Sequence, residues 1–220
     1  MTESPDDAGL SPPWPALRRH LVAILRGITP ADIEAVGAAL VEAGFEAIEV
    51  PLNSPQALVS ISRLARVMPA GVLVGAGTVL TQAEVAAVAD AGGRLLVAPN
   101  TDAGVLREAA RRGMVTMPGV FSPGEALSAL RAGASALKFF PASVLGPRGI
   151  GAIRAVLPRD CVVGAVGGIG VADFAPYLRA GVRAFGLGTS LYMPGSTAGE
   201  VGARAREAVA AYDAALAAGE

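Results

Sequence analysis

Eight short apolar runs, recurring at roughly 25-residue spacing, constrain the fold of this chain more than any other feature. They are LVAILRG (21–27), FEAIEVPL (45–52), VLVGAGTV (72–79), LLVAPN (95–100), VTMPGV (115–120), ALKFFP (136–141), CVVGAVGG (161–168) and AFGLGTSL (184–191). Between them lie Ala-rich segments with helical period, such as ADIEAVGAALVEAG and DAGVLREAARRG. Runs this continuously apolar are buried on both faces, which is the condition of a parallel sheet covered by helices. Eight strand–helix repeats match a closed (β/α)8 TIM barrel better than the alternative, an open doubly wound sheet. The repeats share no common signature, which argues against a solenoid. Gly44, Gly113, Gly133 and Gly181 each stand between a helical segment and the next run, where a helix-terminating glycine is expected.

No stretch of linker chemistry interrupts this rhythm, so residues 16–220 read as a single domain. The preceding segment, 1–15, is acidic and Pro-rich and is expected to be disordered or extended. Trp14 within it is expected to plug an end of the barrel rather than bind ligand. With 52 % hydrophobic residues the chain has ample material for a core. A net charge of −1 gives no pull toward nucleic acid or an anionic membrane. No apolar run approaches the ~20 residues of a membrane span, and the expected compartment is the cytoplasm. One cysteine and one histidine exclude an internal disulfide and leave few soft metal ligands, so no metal site is expected.

In a (β/α)8 barrel the active site lies at the C-terminal ends of the strands. Few polar residues stand there: Arg26, Glu49, Thr78, Asn100, Lys138, Thr189 and Ser190. Lys138 is the only lysine beside 17 arginines, and it sits within an apolar strand. An ionised ammonium is costly there; burial lowers its pKa and leaves a neutral, nucleophilic amine. Such an amine can attack a ketone to form an imine, which arginine cannot do. The plainer alternative is a buried ion pair or a side chain reaching the barrel mouth. Glu49, also in an apolar strand, is suited to shuttle protons beside that amine; otherwise it is a salt-bridge partner of Lys138 or Arg26. Arg26 offers a planar fork for a carboxylate or phosphate, or simply pairs with Glu49. The Gly-rich ends around Gly168 and Gly188 follow the seventh and eighth runs. Loops at those positions often bind phosphate through backbone N–H groups, and Thr189 and Ser190 could add hydroxyls. Tight turns are the alternative. Cys161 reads as a core thiol and His20 as structural or exposed.

Together, Leu-Val-Ala-Ile-Leu-Arg-Gly-Ile-Thr-Pro (21–30), Ile-Glu-Val-Pro-Leu-Asn-Ser-Pro (48–55), Val-Gly-Ala-Gly-Thr-Val (74–79), Ala-Leu-Lys-Phe-Phe-Pro (136–141) and Ala-Val-Gly-Gly-Ile (165–169) resemble the pyruvate aldolases that act on 2-keto-3-deoxy-6-phospho sugar acids. The similarity runs from about residue 20 to 215. Leu52-Asn53-Ser54-Pro55, Pro99-Asn100 and Ile24-Leu25-Arg26-Gly27 look like the 6-phosphogalactonate branch of that family rather than the 6-phosphogluconate branch. Ala98 and Phe121-Ser122-Pro123 depart from the galactonate pattern. The resemblance implies a class I aldolase without cofactor, releasing pyruvate and glyceraldehyde 3-phosphate. It implies that Lys138 forms the imine and Glu49 carries protons. Arg26 and Thr78 would contact the acid end or chain oxygens of the substrate, and Gly168, Gly188 and Thr189 its phosphate end. It also implies a homotrimer. The rivals are a phosphate-binding barrel that isomerises or decarboxylates a sugar phosphate, and a non-catalytic sugar-acid sensor. Neither needs an imine.

Overall fold

Every apolar run contains a strand, and the fifth contains two. The computed structural model describes residues 10–219. The strands are β1 Leu21–Ile24, β2 Ala47–Pro51, β3 Leu73–Gly77, β4 Leu95–Val97, β5 Val115–Met117, β6 Gly119–Val120, β7 Leu137–Phe139, β8 Val163–Val166 and β9 Ala184–Leu187. The intervening helices are α1 Ile33–Ala43, α2 Ala57–Val67, α3 Gln82–Asp90, α4 Ala103–Arg111, α5 Pro123–Arg131, α6 Ala142–Arg154, α7 Phe174–Arg179 and α8 Ala198–Ala217.

All strand pairs are parallel, in the order β5-β4-β3-β2-β1-β9-β8-β7-β6. The two ends of this order are halves of one strand, β5 and β6, separated by Pro118. Proline has no N–H and interrupts the ladder. Hydrogen bonds cross the break all the same. Lys138 N donates to Pro118 O (2.9 Å) and Gly119 N to Asn100 O (3.2 Å). The ring is therefore closed as a (β/α)8 barrel, and the open-sheet alternative is excluded. Cys161, the first residue of the seventh apolar run, stands two residues before β8.

Side chains alternate between two cores, as the period of two along a strand requires. Leu21, Ile48, Leu96, Phe139 and Phe185 point outward and pack under the helices. Val22, Ala47, Leu73, Leu95, Met117 and Ala184 point inward and fill the lower lumen. Fully burying such a side chain is worth about 1.5–3 kcal/mol, and most of them are less than 3 % exposed. Gly44, Gly113, Gly133 and Gly181 all adopt positive φ (64° to 104°), the left-handed turn that ends a helix and returns the chain to the sheet. Thr81, Ser122 and Thr197 start α3, α5 and α8 with reciprocal capping boxes to Glu84, Glu125 and Glu200.

The N-terminal end of the barrel is closed by the chain's own leading segment. Residues 10–15 run without helix or strand; the rest of the segment, 1–9, lies outside the described residues. Trp14 inserts into the lower lumen, 8 % exposed, and its indole N–H donates to His20 Nδ1 at 3.0 Å. The Ser135 hydroxyl donates to Pro12 O (2.6 Å), and Thr116 donates to Ser11 (3.2 Å). With this end filled, the upper lumen is the part of the barrel open to a ligand. Among the described residues no helix is long and apolar enough to cross a membrane.

Candidate active site

The alternation that sends Ile48 and Val50 outward on β2 sends Glu49 into the lumen, and on β7 it turns Lys138 inward between Leu137 and Phe139. Both lie in the upper half of the barrel, away from Trp14. They line one cavity of about 260 Å³, shared with Arg26, Phe140, Gly168, Gly188 and Thr189. A larger hollow, of about 700 Å³, lies beside Trp14 at the opposite end. It contains no buried ionisable pair, so its size carries no chemistry.

Glu49 is 2 % exposed and Lys138 6 %. Burial raises the Glu49 carboxyl above the usual range, while Lys138 and Arg26 pull it back. Burial lowers the Lys138 ammonium below its usual value; Glu49 opposes that shift and Arg26 adds to it. Among the described residues, neither forms an ion pair within 4.0 Å. The salt-bridge alternatives for Lys138 and Glu49 are therefore excluded. Glu49 Oε2 is buried and accepts no hydrogen bond from the described residues, which is uncommon for a buried oxygen. Lys138 Nζ lies 4.8 Å from the Phe140 ring centroid, over its face. Such a contact favours the ammonium form and so works against the effect of burial. A buried acid and a buried amine, each pushed toward its neutral form, can exchange protons with a bound ketone at little electrostatic cost.

Arg26 follows β1 at the cavity rim. It does not pair with Glu49; its Nη1 donates to Asn53 Oδ1 at 2.7 Å, and Asn53 lies in the turn after β2. The guanidinium thus stands at the entrance with donors to spare. On the far side, Gly167 and Gly168 adopt φ of +93° and +72°, so the chain turns sharply after β8 with no side chains in the way. The Ser190 hydroxyl donates to Ile169 O (3.0 Å), fastening the loop after β9 to the loop after β8. Gly168, Gly188 and Thr189 meet there at the cavity edge.

Six of the nine residues singled out from sequence converge on this cavity: Arg26, Glu49, Lys138, Gly168, Gly188 and Thr189; Ser190 is spent on the bond to Ile169 O. Thr78 and Asn100 do not line it. Thr78 is half-buried just past β3, in the left-handed region at φ +59°, which is costly for a residue with a branched Cβ. Asn100 is exposed, and its carbonyl serves the barrel closure by accepting from Gly119 N. Gly167 and Gly186 of the two Gly-rich ends also line the cavity, and the residues that sequence reasoning passed over are apolar: Ile24, Pro99, Phe140, Val166 and Ile169 complete the walls. Polarity could not reveal them. Their position two residues from a polar lumen residue, or just past a strand end, was the available signal.

Comparison with known proteins is consistent with this site. A family model described as KDPG and KHG aldolase matches residues 16–201. A protein of Rhizobium meliloti (strain 1021), named as a probable 2-dehydro-3-deoxy-6-phosphogalactonate aldolase, is 59 % identical over 202 residues, covering 92 % of this chain and 95 % of its own. The 2-dehydro-3-deoxy-6-phosphogalactonate aldolase of Escherichia coli (strain K12) is 45 % identical, over 87 % and 94 % of the two chains. A solved structure titled as native KDPGal superposes with a TM-score of 0.90 at 43 % identity, over 93 % of this chain and 98 % of that one. Likeness that extends over nearly the whole of both partners, in sequence and in fold, leaves one conclusion: the chain belongs to the KDPG and KHG aldolase family and is a pyruvate-dependent carbon–carbon lyase.

Proposed function

We propose that the chain is a 2-dehydro-3-deoxy-6-phosphogalactonate aldolase in which Lys138 forms the imine and Glu49 carries the protons. The observation that carries this reading is the pairing of one buried, unbridged amine with one buried carboxyl in a single cavity at the C-terminal end of the barrel. Neutral Lys138 attacks the C2 ketone. The Glu49 carboxyl gives a proton to the departing hydroxyl, and water leaves a protonated imine. The carboxylate so formed takes the C4 hydroxyl proton. The C3–C4 electron pair flows into the imine, giving an enamine and glyceraldehyde 3-phosphate. Glu49 returns the proton to C3. Water then hydrolyses the imine, freeing pyruvate and the Lys138 amine.

The remaining residues bind the substrate's two ends. Arg26, at the rim, takes the carboxylate, which suits its fork. Gly168, Gly188 and Thr189 receive the phosphate with backbone N–H groups and a hydroxyl. Thr78 and Asn100 lie outside the cavity wall, so any contact they make with substrate is with its chain oxygens at the mouth. No metal or organic cofactor enters any step. The functional unit is a cytoplasmic homotrimer, as the family resemblance implies, and its mass in solution should be three times 22.0 kDa. The galactonate substrate is favoured by the Leu52-Asn53-Ser54-Pro55 stretch, whose Asn53 holds Arg26, and by the names of the two relatives.

A coupled assay of pyruvate release tests the proposal with the 2-dehydro-3-deoxy-6-phospho derivatives of galactonate and gluconate side by side. The galactonate epimer is expected to show the higher kcat/KM. Preference for the gluconate epimer would overturn the substrate assignment, and release from neither would overturn the activity.

A further inference from the structure

We infer that Gly77 is a positioning residue for the aldol reaction: its missing side chain is the space that holds the Glu49 carboxyl in place. This inference rests on the reading of Glu49 as the proton carrier. Gly77 ends β3, paired with Pro51, two residues beyond Glu49 on the lumen face of β2. A Cβ built on Gly77 would lie 2.7 Å from Glu49 Oε1, 2.9 Å from Cδ and 3.1 Å from Oε2. Ordinary carbon–oxygen contacts do not reach so close. The backbone gives no other reason for glycine, because Gly77 is not among the glycines at positive φ.

Gly75, one lumen position lower on the same strand, makes the contrast plain. A Cβ there would run into the Leu95 carbonyl group. That is backbone of a neighbouring strand and cannot yield, so Gly75 serves the packing of the barrel. At Gly77 the three nearest atoms all belong to the end of one flexible side chain. An added methyl there displaces the Glu49 carboxyl and leaves the barrel standing. Nothing else anchors that end firmly: Oε2 has no hydrogen-bond partner, and no cation lies within 4.0 Å among the described residues. The carboxyl therefore rests against the space over Gly77, and that space sets its reach toward the substrate. Proton transfer needs heavy atoms about 2.6–3.2 Å apart, and a misplacement of ~1 Å can cost ~10²-fold.

The test is Gly77→Ala made in the native chain and again in the Glu49→Asp background, where the shorter side chain withdraws the carboxyl from the added methyl. In the native chain, kcat is expected to fall by ~10–100-fold with KM changed far less, and the pH profile of kcat to shift. In the Glu49→Asp background the same change is expected to cost less than about 3-fold, because the contact no longer exists. Equal losses in both backgrounds would overturn the inference, as would full turnover in the native background. A Gly77→Ala chain that fails to fold would overturn it too. The reading of Glu49 itself is judged separately by Glu49→Gln. Near-normal turnover in that variant removes Glu49 from the mechanism. A large loss there beside none in Gly77→Ala removes only Gly77.

Discussion

At the scale of single residues, the site depends on two groups held in the wrong solvent for their charges. In the proposed mechanism Lys138 is an amine that loses its proton, a role that arginine, although basic and of similar length, cannot take. Lys138→Arg is expected to abolish turnover while circular dichroism shows that the fold survives; measurable turnover would show that no imine is needed. Glu49→Gln keeps the shape of the side chain but removes its capacity to accept a proton. It is expected to lower kcat by ~10²–10⁴, measured as steady-state pyruvate release, with borohydride trapping of pyruvate slowed as well. These two residues were legible in the sequence because each is a charged type inside an otherwise apolar strand, at a cost that only function or pairing would justify. Arg26, Gly168, Gly188 and Thr189 were legible by position after a strand. Thr78 and Asn100 shared that position but not the cavity. A residue in the turn past a strand can point into the mouth or away from it, and a sequence period does not extend into a turn.

At the scale of elements, eight strand positions and their helices could be read from hydrophobic periodicity and terminating glycines. The break in the fifth strand could not. Pro118 was visible, but whether a proline ends a strand or merely interrupts it depends on carbonyls of neighbouring strands. The leading segment was legible in part: its composition left disorder and extension open, but Trp14 was expected to plug one end of the barrel, and it sits in the lower lumen. That anchor depends on the protonation of His20. The indole N–H donates to Nδ1, so the ring must be neutral there. Burial lowers the His20 pKa below its ordinary 6.5; Glu46 opposes this and Arg183 adds to it. The folded-state value lies below the unfolded one, so the unfolded chain takes up the proton first as pH falls. This contribution to stability is complete above about pH 6.5 and is lost as pH drops through the folded-state value. Urea unfolding followed by the fluorescence of Trp14, the chain's only tryptophan, is expected to give a lower midpoint at pH 5.5 than at pH 7.5. His20→Gln, which accepts without titrating, should flatten this difference. An unchanged pH slope in that variant would place the proton elsewhere.

At the scale of the molecule, the barrel carries an energetic burden for its chemistry. An amine 6 % exposed with no ion-pair partner is worse for stability than an apolar side chain of the same length. Lys138→Met is therefore expected to stabilise the fold by ~1–2 kcal/mol while eliminating activity, raising the melting temperature by roughly 2–8 °C for a chain of this size. A melting temperature that falls would mean that the amine is bound into the fold more firmly than its contacts indicate. The central claim is narrower than any of these effects: the covalent bond to substrate forms at Lys138. Incubation with pyruvate followed by borohydride reduction, then peptide mass analysis, measures it directly. The account predicts that the peptide containing Lys138 gains the mass of one reduced pyruvate adduct, in proportion to lost activity. Full inactivation with that peptide unmodified, or full activity retained under reduction, would contradict it.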